Sequence, residues 1–182
     1  MAFRVLLLLL LAFPLQAAEV AGVKFDDKTK VGSAELALSG AGLRKRLFFQ
    51  VYAIGLYVQD AKADPIAQPG PKRILIHMLR DVGAEQFTEA LADGIEANHS
   101  EADAKALEPR VKQLGAIMAG LKEAKSGMAI GLDWNGKETV LAVGGKPAGS
   151  PIPGEDFYRA LLRIWLGDNP VQEDLKKALR GG

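Results

Sequence analysis

Between Ser39 and Val58 the chain reads SGAGLRKRLFFQVYAIGLYV, passing from paired glycines through a basic triplet into twelve uncharged residues. Its second half is rich in aromatic and β-branched side chains, which suit a pleated, packed surface. Taken alternately, Phe48, Gln50, Tyr52, Ile54, Leu56 and Val58 share one face, and Phe49, Val51, Ala53, Gly55 and Tyr57 the other. Both faces are largely apolar, so the spacing predicts a strand covered on both sides. Arg44, Gln50 and Tyr52 are the polar groups that such a setting must accommodate.

Upstream, residues 20–31 read as a strand and turn broken at DDKT, and residues 33–38 alternate as a second strand. Downstream, three prolines in KADPIAQPGPK mark a loop. RILIHMLR, residues 73–80, is a short apolar run between charges and reads as another core strand. The period then becomes helical: Phe87, Leu91 and Ile95 recur every four residues, with Glu85, Glu89 and Glu96 turned away. Ser100 stands as a cap three residues before Asp103. Leu107, Val111, Leu114, Met118 and Leu121 mark one face of a longer helix, which Pro109 is expected to kink or split.

MAIGLDW and ETVLAV flank Asn135-Gly136, a strong hairpin signal, and Gly144-Gly145-Lys146-Pro147 gives a further turn. Phe157, Leu161, Leu162, Trp165 and Leu166 stripe a third helix. A fourth is expected with Asn169 as its cap, Pro170 in its first position and Gln172 placed for a capping box. Strands, two helices, a hairpin and two helices make an α+β domain, an antiparallel sheet with helices gathered against it.

Composition changes the picture at the N-terminus. Met1 to Arg4 form a short positive region, Leu6 to Leu11 are six consecutive leucines, and small residues precede Glu19. That is the pattern of a cleavable secretory signal over residues 1–18, too short for a membrane span. Residues 19–182 are then a single domain of roughly 165 residues, long enough for a core without staples. Loss of Arg4 takes the 23 basic residues to 22, matching the 22 acidic ones. A neutral chain has no global field for nucleic acid or an anionic membrane. Export without any cysteine fits a bacterial periplasm.

Most catalytic signatures are missing. With no cysteine and only His77 and His99, no zinc-ligand spacing exists, and both histidines read as structural. GAGLRK lacks the third glycine of a dinucleotide fingerprint, and no Walker-type lysine follows a glycine-rich loop. No cofactor is therefore expected. The Arg44-Lys45-Arg46 triplet could grip a phosphate, but at a strand edge such charges usually face solvent.

The segments GAGLRK and VYAIGLYV resemble the chalcone isomerase-like family, whose members carry a GxGxR segment and then an AIGxY strand. The similarity extends through GAEQFTEALADGIEANHSEADAKALEPRVKQL, like the family's two central helices, and through the Asn135-Gly136 hairpin to ALLRIWLG. It implies an open-faced sandwich, a large antiparallel sheet with helices on one face and a cleft between them. It does not carry the plant cyclisation across. The family's catalytic arginine matches Arg44, but its threonine is Tyr52 here. The tyrosine, lysine and asparagine of its first helix fall at Gln86, Glu89 and Asp93, and a further threonine falls at Ile164. Glutamate in place of lysine reverses a charge that favours a phenolate.

A second branch of the family binds fatty acids through an arginine and a tyrosine, and Arg44 and Tyr52 resemble that pair. The resemblance thus implies a small apolar carboxylate such as a fatty acid, bound without catalysis at Arg44 and Tyr52 with Gln86 beside them. Of the aromatics that could line a pocket, Phe48, Phe49, Trp134 and Trp165, we take Phe48 and Trp165 into the site. Guanidinium and phenol would supply charge-assisted donors to the acid. An isomerase or intramolecular lyase using Tyr52 with Glu89 or Asp93 is the alternative, and a cleft filled by its own side chains a third. A continuous strand would hold Arg44 and Tyr52 roughly 26 Å apart. Sharing a ligand needs a turn between them, where Lys45 to Phe49 offer neither glycine nor proline.

Overall fold

The computed structural model describes residues 18–182; the predicted leader, residues 1–17 of it, lies outside the described residues. Strands β1 (Ala18–Val20) and β2 (Val23–Phe25) form a small hairpin, followed by β3 (Lys28–Val31). Strands β4 (Ala34–Arg46), β5 (Phe49–Val58) and β6 (Lys72–Met78) come next, then the short β7 (Val82–Gly83). Helices α1 (Ala84–Glu96) and α2 (Glu101–Ala119) follow, with β8 (Glu123–Ala124) pairing back to β7. Strands β9 (Ala129–Trp134), β10 (Glu138–Val143), β11 (Lys146–Pro147) and β12 (Ile152–Pro153) precede helices α3 (Glu155–Leu166) and α4 (Glu173–Leu179).

The main sheet is antiparallel in the order β11-β10-β9-β6-β5-β4-β3, with β12 on β10. Its central strands alternate cleanly. Tyr52, Ile54, Leu56 and Val58 of β5, with Ile74, Ile76 and Met78 of β6, face the core beneath α1 and α3. Ala53 and Tyr57 face the other way, onto Phe25, Val31 and Leu36. The doubly covered strand is present, with helices on one side and the β1–β2 hairpin on the other. Phe25 meets His77 edge-on at 5.4 Å, which gives that histidine a packing role.

The paired glycines of SGAGLR have a packing cause. A Cβ on Gly40 would lie 2.1 Å from the Ala178 carbonyl oxygen, and one on Gly42 would lie 2.6 Å from Leu175 Cδ1. Without those side chains α4 lies directly against β4. Three expectations need correction. Helix α2 runs unbroken through Pro109, because the proline sits on the exposed face, where the carbonyl it frees can bind water. Helix α4 begins later than expected, with Gln172 as its flanking residue and no side-chain cap. Asn169 instead ties the chain to the end of α1: its backbone N–H donates to Asn98 Oδ1 at 2.9 Å and its side-chain amide to the Ala97 carbonyl at 2.8 Å.

The third correction concerns β5, which starts at Phe49 rather than Phe48. Leu47 and Phe48 are the two turn residues between β4 and β5, since Arg46 pairs with Phe49. Leu47 takes φ 54°, so a leucine does what glycine usually does in a tight reversal. No helix of the described residues is long and apolar enough to cross a membrane.

Candidate ligand-binding cleft

The reversal at Leu47-Phe48 folds the opening segment back on itself and makes Arg44 the direct cross-strand partner of Tyr52. Side chains so paired project from the same face, with Cβ atoms about 4.5–5.5 Å apart. Just beyond them the register shifts, so that Lys45 pairs with Gln50 and Val51 is the extra residue. Such a bulge bends its strand and re-aims the neighbouring side chains. Gln50 ends up exposed, which removes it from the set of buried polar groups to be explained.

Arg44 and Tyr52 open into a cleft of about 990 Å³ between β4–β6 and helices α1 and α3. That is the upper end of the range typical of small-molecule sites, about 300–1,000 Å³. Its apolar floor and walls come from Ile76, Met78, Phe87, Leu91, Ile164 and Trp165, with Gln86 and Asp93 also contributing from α1. The cleft is not filled by the protein's own side chains.

Tyr52 is held from behind. Its hydroxyl accepts a hydrogen bond from the Trp165 indole N–H at 2.9 Å. That bond uses a lone pair and leaves the phenolic proton for an acceptor in the cleft. Burial pushes the Tyr52 pKa up, opposed by the Trp165 bond and by the charge of Arg44 nearby. The ring is partly exposed because it lines an open cleft, while its hydroxyl is deep. The group is therefore a neutral donor at physiological pH.

Gln172 positions Arg44, and sequence reasoning missed it. The Gln172 Oε1 accepts from the Lys45 backbone N–H at 2.9 Å and from Arg44 Nη1 at 3.3 Å, while Nε2 donates to the Leu43 carbonyl at 3.0 Å. One amide thus ties β4, opposite the bulge in β5, to the start of α4. The signal lay in the wrong place: the residue reads as a helix cap by its spacing, and only the approach permitted by Gly40 and Gly42 brings it to β4.

The remaining predicted residues divide. Gln86 and Trp165 line the cleft with Arg44 and Tyr52. Phe48 does not: it stands 98 % exposed at the hairpin tip, because it belongs to the turn and not to the alternating strand. Its neighbour Phe49 lines the cleft instead, under the Arg80 guanidinium at 4.6 Å. Of the two alternative acid–base carboxylates, Asp93 lines the cleft. Glu89 lies on the exposed side of α1 outside it. Among the described residues no cluster of His, Asp and Glu could hold a metal ion.

A profile described as chalcone isomerase-like matches residues 17–181. The chain belongs to the chalcone isomerase-like family. Among solved structures, a fatty-acid binding protein of Arabidopsis thaliana is similar at 14 % identity and a TM-score of 0.66, over 87 % of this chain and 92 % of that one. At that identity the likeness establishes a shared fold. No curated protein matches the chain. The α+β sandwich with helices on one sheet face is thus a family architecture here, and the cleft lies between those two layers, where the family resemblance placed it.

Proposed function

We propose that this chalcone isomerase-like protein binds a fatty acid or similar apolar carboxylate in its cleft, without catalysis, after export to the periplasm. The observation that carries the reading is the cross-strand pair of Arg44 and Tyr52 at an apolar cleft. Arg44 offers a cation with its Nη1 already oriented by Gln172, and Tyr52 offers a phenolic proton left over from the Trp165 bond. A carboxylate accepts from both, each charge-assisted bond contributing about 1.5–3 kcal/mol. An alkyl tail on the apolar floor adds about 0.8 kcal/mol per buried methylene, so the tail sets affinity and the pair sets orientation and acid preference. The Arabidopsis protein of similar fold is a fatty-acid binding protein, which supports the same ligand class here. Export rests on the Arg4 and Leu6 to Leu11 leader pattern.

Native mass spectrometry of the purified protein, followed by organic extraction, tests the reading. A co-purifying acyl chain released by denaturation is expected. Turnover of a chalcone followed by absorbance would favour the enzyme alternative, with Asp93 and Tyr52 as its candidate acid and base. Cell fractionation checks export: the mature chain is expected with periplasmic markers, shortened by the leader.

A further inference from the structure

The β4–β5 hairpin ends in a concentrated exposure of apolar surface. Leu47 is 85 % exposed, Phe48 98 % and Phe49 56 %, and among the described residues these three are the exposed large hydrophobic side chains. Scattered single exposures are ordinary, but three in a row at one tip call for a partner. The backbone makes the same point independently. At the β10–β11 reversal the chain places Gly144 and Gly145 at φ 56° and 79°, whereas at the β4–β5 reversal it holds Leu47 at φ 54°. A leucine there gives up backbone preference to keep an apolar side chain facing water.

Charge completes the tip. Arg44, Lys45 and Arg46 lead into it, and Arg80 lies over the Phe49 ring. None of these four makes an ion pair among the described residues. Asp81, the acidic neighbour of Arg80, is engaged by the Ser126 backbone N–H at 2.7 Å. With Lys45, the three arginines concentrate positive charge around the tip. An apolar wedge backed by cations fits the boundary of an anionic bilayer, where rings enter the acyl region and guanidinium groups meet phosphates. The whole chain is close to neutral, so the attraction is local to this tip.

We propose that the tip formed by Leu47, Phe48 and Phe49 docks the protein onto an anionic phospholipid surface. Leu47 and Phe49 also line the cleft, so docking brings the cleft mouth to the lipid and gives an acyl chain a continuous apolar route. The inference goes beyond the ligand reading and is separable from it at Phe48, the tip residue that lies outside the cleft.

Cosedimentation of the purified chain with phosphatidylcholine vesicles, and with vesicles containing phosphatidylglycerol, tests it. Binding to the anionic vesicles is expected, weakening as salt rises. Phe48→Asp is expected to reduce it at least tenfold with an unchanged melting temperature, since Phe48 packs against nothing. Phe48→Trp is expected to give a blue-shifted emission on those vesicles, quenched by brominated acyl chains. No binding to either vesicle, or Phe48→Asp binding like the wild type, would overturn the proposal. So would a lipid-free dimer in sedimentation velocity that Phe48→Asp abolishes, because the tip would then seat a second copy. Displacement of a fluorescent fatty acid by the same variant separates the two readings: Phe48 lies outside the cleft, so ligand binding is expected to survive when docking is lost.

Discussion

Arg44 and Tyr52 are opposite one another across two antiparallel strands, although they stand eight positions apart in the chain. The relationship depends on one left-handed residue, Leu47, and one bulge at Val51. The first reverses the chain and the second adjusts the register, so that guanidinium and phenol share a face over the cleft. A basic residue at a strand edge and a tyrosine in a core strand would each be unremarkable alone. As a pair above an apolar floor they are the headgroup site of the proposed ligand.

Removing either member should therefore weaken acids selectively. Arg44→Ala is expected to lower affinity for a long-chain fatty acid by about tenfold to a hundredfold, the equivalent of one charge-assisted interaction of about 1.5–3 kcal/mol. Affinity for the matching fatty alcohol is expected to change little. Tyr52→Phe should cost acids less than Arg44→Ala, because a neutral donor is lost, and should also leave the Trp165 indole N–H without its acceptor. Isothermal titration with the acid and alcohol pair checks both. Equal losses for the two ligands would remove Arg44 from the headgroup site.

Gln172 offers a finer test, because it acts on ligand only through Arg44. Gln172→Ala removes hydrogen bonds to Leu43, Lys45 and Arg44 together. It is expected to destabilise the fold by about 1–2 kcal/mol and to weaken acid binding as well. Gln172→Glu retains an acceptor for the Lys45 N–H but places a carboxylate beside Arg44. It also loses the donor to the Leu43 carbonyl, so stability is expected to fall between wild type and Gln172→Ala. Acid affinity is expected to drop as far as in Gln172→Ala, since the new charge neutralises the cation. Denaturant melts alongside ligand titration separate these two effects.

Much of this architecture was legible because its signals are local. Alternation in β5, the four-residue spacing of Phe87, Leu91 and Ile95, and the Asn135-Gly136 turn each report on neighbours in sequence. The Arg44–Tyr52 pairing was not legible, because the reversal uses Leu47 in a conformation that sequence rules reserve for glycine, asparagine and aspartate. The error then propagated to Phe48, whose parity puts it beside Tyr52 only if the strand continues. Gln172 was hidden for a different reason. Its contact with β4 spans more than a hundred residues and depends on α4 seating over Gly40 and Gly42, which no local pattern reveals.

All three tyrosines of the chain, Tyr52, Tyr57 and Tyr158, have pKa values pushed up, in each case mainly by burial. Tyr57 reaches about 12, with Asp26 adding to the burial effect. An unfolded chain releases such protons near pH 10, whereas the native protein keeps that of Tyr57 until about pH 12. The stability is thus complete below pH 10 and falls as pH rises toward 12. Tyr57 alone should account for roughly 1–2 kcal/mol of the loss after solvent screening is allowed for. Urea midpoints between pH 8 and 12 are expected to fall, and Tyr57→Phe should flatten part of the slope. Tyrosinate absorbance that rises near pH 10, ahead of unfolding, would contradict the buried setting.

The last prediction concerns the cost of the reversal itself. Glycine adopts φ near 54° freely, whereas a leucine there gives up about 1–2 kcal/mol, of which the greater unfolded-state freedom of glycine offsets about 0.5–1 kcal/mol. Leu47 is almost fully exposed, so its replacement forfeits little packing in the folded chain. Leu47→Gly is therefore expected to raise stability by up to about 1 kcal/mol, visible as a higher urea midpoint with an unchanged m-value. The same variant should bind anionic vesicles more weakly, because the tip loses one of its three apolar side chains. A gain in stability with a loss of docking would show that this turn is kept for the surface it presents. A loss of stability would mean that Leu47 makes a folding contribution its exposure hides, and the strain argument for the tip would fail.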